Sequence, residues 1–123
     1  MNIEEFREYC ISVKGAAESF PFDESTLVFK VMNKMFAYTG LAPKDGQFKA
    51  DMKCDPEKSS ELREKYNGIT RSSHTHGLLW NCVYLASDVP DNLIKELIQH
   101  SAAEVIKKLP KNKQEEYRLK NGN

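Results

Sequence analysis

The stretch TLVFKVMNKMFAYTGL, residues 26–41, decides how the rest of the chain is read. Two runs rich in β-branched and aromatic residues, 26–32 and 34–41, are separated only by Asn33-Lys34, which predicts a tight antiparallel hairpin. A turn around Pro43-Lys44-Asp45-Gly46 then leads into QFKADMKC, 47–54, where Phe48, Ala50, Met52 and Cys54 alternate with Lys49, Asp51 and Lys53. Successive strand side chains point to opposite faces, so this pattern predicts one buried face and one wet face.

Working outward, Ile3, Phe6, Cys10 and Val13 recur at helical spacing while Glu4, Glu5, Arg7 and Glu8 fall off that stripe. Asn2 with Glu5 three residues on is a capping-box pattern, and Gly15 supplies a stop. ESFPFD, 18–23, reads as a short connection into the hairpin. On the other side, Asp55-Pro56 and Asn67-Gly68 bound a helix over 56–66. Only Leu62 and Tyr66 are clearly apolar in it, so it is expected to lie across a sheet edge. WNCVYLA, 80–86, predicts another strand, and Pro90 opens a long helix whose Leu93, Ile94, Leu97, Ile98, Ala102, Val105 and Leu109 make a wide apolar stripe. That helix should be the main cover of the sheet. Pro110 stops it, and KNKQEEYRLKNGN reads as a charged tail with room for a short helix of one further turn or two.

The order α-β-β-β-α-β-β-α, with short connections between the first strands, predicts an α+β two-layer sandwich: an antiparallel sheet with helices packed on one face. Residues 1–110 form a single domain in this reading and 111–123 its tail. A chain of 123 residues with 40% hydrophobic side chains suits one core. The 18 basic and 18 acidic residues cancel, so no global field draws the chain toward nucleic acid or membrane. No apolar run approaches the roughly 20 residues of a membrane helix, and the first turns are acidic and amphipathic, unlike a signal peptide. A cytoplasmic protein with no membrane partner is expected. Cys10, Cys54 and Cys82 are odd in number and form no C-x-x-C pair, which points to small buried hydrophobes.

Candidate chemistry is sparse. His74-x-His76 is a usable start for a zinc or iron site, but no third and fourth ligand stand at a recognisable spacing, so no metal and no cofactor is expected. His100 flanks the apolar stripe of the long helix, where a partly buried histidine is the simpler reading. No nucleophile elbow or glycine-rich phosphate loop occurs, and no catalytic constellation is visible. Local charge is more informative. Up to residue 25, Arg7 and Lys14 stand against Glu4, Glu5, Glu8, Glu18, Asp23 and Glu24. Over 26–53, Lys30, Lys34, Lys44, Lys49 and Lys53 stand against Asp45 and Asp51. The strands are therefore basic and the first helix acidic. Lys30, Lys34, Lys49 and Lys53, with Arg71 and His74 nearby, are the candidate contacts for the phosphates of DNA. The competing reading makes the outward lysines a solubility device and the chain a protein- or peptide-interaction module.

Several segments together resemble one family. ESFPFDESTLVFKVMNKMFA (18–37), MKCDPEKSSELREKYNGI (52–69), the WNCVYL strand and DVPDNLIKELIQHSAAEVIKKLPK are similar to the MmcQ/YjbR family of small bacterial proteins, in order and over nearly the whole chain. The resemblance implies a compact α+β sandwich of the secretion-chaperone-like or frataxin-like kind, and DNA binding through a winged arrangement of hairpins. A family pattern of the form G-Y-H-M-N-K-x-H-W-N faces RSSHTHGLLWN here. His74 matches its first histidine and Trp80-Asn81 its strand entrance, while Gly77, Leu78 and Leu79 replace the basic residue and second histidine. Trp80 and Asn81 are thus expected as a packed strand entrance rather than a stacking platform for a base.

Overall fold

The computed structural model describes residues 1–43, 46–73, 75 and 78–122. Along the chain run α1 (Ile3–Ile11), β1 (Ala16–Ser19), β2 (Thr26–Val31), β3 (Lys34–Gly40), β4 (Lys49–Lys53), α2 (Pro56–Lys65), β5 (Ile69–Arg71), β6 (Trp80–Tyr84), α3 (Asp91–Lys107) and α4 (Lys111–Asn121). The strands build one antiparallel sheet in the order β1-β2-β3-β4-β6-β5. α3 crosses β2, β3 and β4, α1 packs on α3 and β1, and α2 lies against the edge strand β5. This is the α+β sandwich that the pattern predicts.

Local chemistry accounts for most boundaries. Asn2 caps α1 by accepting from the Glu5 N–H at 2.8 Å while the Glu5 carboxylate takes the Asn2 N–H at 3.1 Å. Asp55 caps α2 by accepting from the Lys58 N–H, with Pro56 in the first turn. The β2–β3 turn is Met32-Asn33, one residue earlier than the sequence places it. Both residues have positive φ, 50° and 63°, as a two-residue type I′ turn requires. Next to it, Phe29 pairs with Ala37 but Lys30 with Met35, so β3 carries a bulge at Phe36. Phe36 and Ala37 both enter the core, and Met35 returns to the phase of Tyr38.

The core lies between sheet and helices. Phe6 of α1 meets Phe29 edge-on at 6.0 Å between ring centroids, and Phe36 stands beside Phe29. Ala50 and Met52 of β4, with Cys54 just past its end, face this layer, as their alternation predicts, and Ile94, Leu97, Ile98, Ala102 and Val105 of α3 close it. All three cysteines are buried and free. Ser101 in α3 donates to the Lys53 carbonyl at 2.6 Å, which fixes the helix across the end of β4.

Two elements exceed the sequence reading. Ala16–Ser19 forms the edge strand β1, although Ala-Ala-Glu-Ser has little intrinsic strand preference. Pairing with β2 supplies what composition does not, and Arg7 Nε donates to Glu18 at 2.8 Å across it. The charge pattern after Pro110 leaves room for a short helix in the tail, and the chain forms the 11-residue α4 there. Its Tyr117 packs against the core and donates its hydroxyl to the Lys14 carbonyl at 2.6 Å.

Candidate functional site

Residues directly opposite in an antiparallel pair share a face. Val28 and Tyr38, Lys30 and Met35, Tyr38 and Asp51, Asp51 and Cys82, Lys49 and Tyr84, and Lys53 and Trp80 are such pairs. They trace one continuous face of the sheet, opposite the helix layer. We call it the open face. Of the candidate phosphate contacts, Lys30, Lys49 and Lys53 lie on it. Lys49 and Lys53 are four residues apart on one strand, or about 13 Å, and Lys30 is two strands away, or about 10 Å.

The other candidates fall elsewhere. Lys34 sits opposite Val31 at the hairpin end, on the rim of the sheet. Arg71 pairs with Asn81 and so points to the covered side, at the exposed edge beside α2. Sequence proximity to the histidines places Arg71 with the lysines, and strand alternation separates them. His74, with His76, lies outside the described residues. His100 is half-buried, and its Nε2 accepts the Asp55 N–H at 3.1 Å. Burial lowers its pKa. Among the described residues, no three His, Cys, Asp or Glu side chains converge as metal ligands. No described helix is long and apolar enough to cross a membrane.

At the centre of the open face stands a group the sequence does not signal. Asp51, expected to be solvated, is only 6% exposed. The Tyr38 hydroxyl donates to it at 3.0 Å, and Ser72 Oγ also donates to it. Ser72 and Thr75 exchange a hydrogen bond at 2.6 Å. Burial raises the pKa of the Tyr38 phenol, with the Asp51 charge acting in the same direction. Burial likewise pushes the Cys82 thiol up to about 11, and Asp51 adds to the shift. Such a thiol is not a nucleophile at neutral pH. The covering residues come from the chain after β5, more than twenty positions from Asp51, so no local pattern in 47–54 announces the burial.

Aromatic rings flank this carboxylate. Trp80 is 6% exposed and tilts against Tyr38 at 5.7 Å, the packed strand entrance expected of it. Beside it Asn81 is buried on the covered side, where Arg63 of α2 donates to its Oδ1 at 2.8 Å. Lys53 Nζ lies 5.7 Å from the Trp80 ring centre and Lys49 Nζ 5.9 Å from that of Tyr84. Both ammonium groups sit over ring faces, where the quadrupole attracts them. Burial and the charge of Lys108 hold Lys53 below the ordinary lysine pKa.

Three hollows join across the face. One of about 380 Å³ is lined by Phe22, Asp23, Thr26, Met35, Tyr38 and Thr75. A smaller one, about 130 Å³, shares Thr26 and Tyr38 with it and adds Gln47, Lys49 and Asp51. A third, about 510 Å³, shares Gln47 and Lys49 and ends at Tyr84 and Asp88. The groove thus runs from an apolar end to a polar one.

These features define a small α+β protein, with one sheet face sealed by helices and the other open and chemically mixed. The chain belongs to the YjbR family, whose model matches residues 11–101. A crystal structure of a Deinococcus radiodurans protein with a DUF419 domain is similar to it at 33% identity, with a TM-score of 0.86, covering 94% of this chain and 87% of that one. A Pseudomonas syringae protein of solved structure shares the fold, with a TM-score of 0.73 at 23% identity, over 85% of this chain and 98% of that one. No curated protein matches the chain.

Proposed function

We propose that the open face is a weak, sequence-independent binding surface for the phosphate backbone of DNA, held by Lys30, Lys49 and Lys53. The observation that carries this reading is that the three lysines share one face while the acidic α1, with Glu4, Glu5 and Glu8, lies in the opposite layer. Asp51 stands between Lys49 and Lys53, but its charge is buried and engaged by hydroxyl donors. The half-exposed ammonium groups are what a phosphate would meet. Phosphate contacts position a protein without reading bases, so no sequence preference is expected.

Binding to duplex DNA followed across a salt series tests this. Three contacts give a slope of about −2.7 for log affinity against log salt. Replacing Lys30, Lys49 and Lys53 together by glutamine is expected to remove that slope and leave the fold intact. A wild-type protein with no salt-sensitive binding at low ionic strength would sink the reading.

One observation favours a second reading, a protein- or peptide-interaction module resembling a secretion chaperone. Phe22 is 68% exposed and, with Met35 and Tyr38, lines the apolar end of a groove that continues past Lys49. An extended peptide with an apolar side chain at one end suits that shape. Phe22→Ser is expected to abolish peptide capture and spare DNA binding, and the lysine replacements to do the reverse.

A further inference from the structure

Where β3 begins, β4 ends and α3 stops, three lysines border one groove. Lys34, Lys53 and Lys108, with Met35, Val105 and Leu109, line a hollow of about 180 Å³. Among the described residues none of the three lysines has an ion-pair partner. The neighbouring acid, Glu104, is buried and holds Lys107 at 2.7 Å. Lys53 is steadied from the other side by Trp80. Like charges around an apolar floor repel one another more strongly than in bulk water, and an anion seated among them relieves that repulsion. The C-terminal end of α3 is also here. Its dipole opposes an anion by roughly half a charge, which three full positive charges outweigh.

We infer that this groove seats one phosphate group, held by Lys34, Lys53 and Lys108. The phosphate belongs either to a nucleic-acid backbone or to a small phosphate monoester. Ammonium groups suit this ligand as point charges that need no fixed bidentate geometry. The seat shares only Lys53 with the DNA-binding face proposed above, and it stands if that proposal falls. Lys108 is the residue it adds, remote in sequence from the basic strands.

Titration of inorganic phosphate into the full ¹⁵N-labelled chain at low ionic strength tests the inference. The expected result is a set of saturable shifts, in the roughly millimolar range, confined to the amides around Lys34, Lys53 and Lys108. Lys108→Gln is expected to weaken them about tenfold, or 1.4 kcal/mol, with Lys34→Gln acting likewise and Lys120→Gln, on α4, leaving them unchanged. A duplex-DNA salt series on the Lys108 variant separates the sources. A slope reduced by about one assigns the phosphate to the nucleic-acid backbone, and an unchanged slope assigns it to a small monoester. Absent saturation, shifts scattered over all surface lysines, or shifts indifferent to Lys108→Gln with the amide spectrum otherwise native, would overturn the seat.

Discussion

The two faces of the sheet are made by the same strands, yet they are closed in different ways. The covered face is sealed by helices through apolar contact, with Phe6, Phe29, Phe36 and the α3 stripe at its centre. The open face has its own buried residues, Val28, Trp80 and Cys82, but their burial is organised around a carboxylate and its hydroxyl donors. Apolar packing is non-directional and tolerates small shifts. A buried polar cluster is costly unless every partner is in place. The covered face therefore supplies stability, and the open face is the part whose shape depends on a few specific bonds.

Hollowing out the covered face is expected to have the largest effect. Leu97→Ala removes a buried α3 side chain and is expected to cost about 2–5 kcal/mol, read as a large drop in the urea midpoint. Next in size, Asp51→Ala leaves the Tyr38 and Ser72 hydroxyls without their acceptor and is expected to cost roughly 1–3 kcal/mol. Tyr38→Phe should cost less, and a double-mutant cycle between the two should show coupling. Additive effects would mean the cluster is not a unit.

A smaller effect is expected from pH. His100 accepts the Asp55 N–H as a neutral imidazole, and burial outweighs the nearby Glu104 and Asp55 in lowering its pKa below the ordinary 6.5, with Lys58 and Lys107 adding to the shift. Its contribution is thus present in full above that value and is lost as pH falls through the lowered, folded-state pKa. Denaturation midpoints between pH 7 and 5 should decline in the wild type and decline less in His100→Gln. Parallel slopes would assign the acid sensitivity elsewhere. Smallest of all, Lys30→Gln, Lys49→Gln and Lys53→Gln should each change stability by no more than about 0.5 kcal/mol. Losses above that would show the lysine stems to be part of the packing on Tyr84 and Trp80.

The covered face was legible in the sequence because its causes are local and periodic. The 3.6-residue recurrence of Ile94, Leu97, Ile98 and Val105 and the two-residue alternation of Ala50, Met52 and Cys54 each name their own buried side. The caps at Asn2 and Asp55 were legible for the same reason. Alternation also placed Lys49 and Lys53 on the open face, but it assigned Asp51 to solvent, because a strand pattern registers which side a residue points to and not what later folds over it. Arg71 was misplaced relative to the lysines because its side is set by register with β6, a long-range fact. β1 exists only through its neighbour, and α4 is held by Tyr117 reaching Lys14. Neither tie has a local signature.

The borders of the sheet matter when the protein is concentrated. Free N–H and C=O groups along an outer strand template strand-to-strand aggregation, and fibres grow from apolar stretches of roughly six or seven residues. One border here is β1, four residues long, with Glu18 tied to Arg7. The other is β5, three residues long, beside α2. Both are too short to recruit another chain into the sheet. Pro21, which has no N–H to pair, stands between Phe20 and Phe22, so a substitution of that proline that extended β1 pairing through them would weaken this protection.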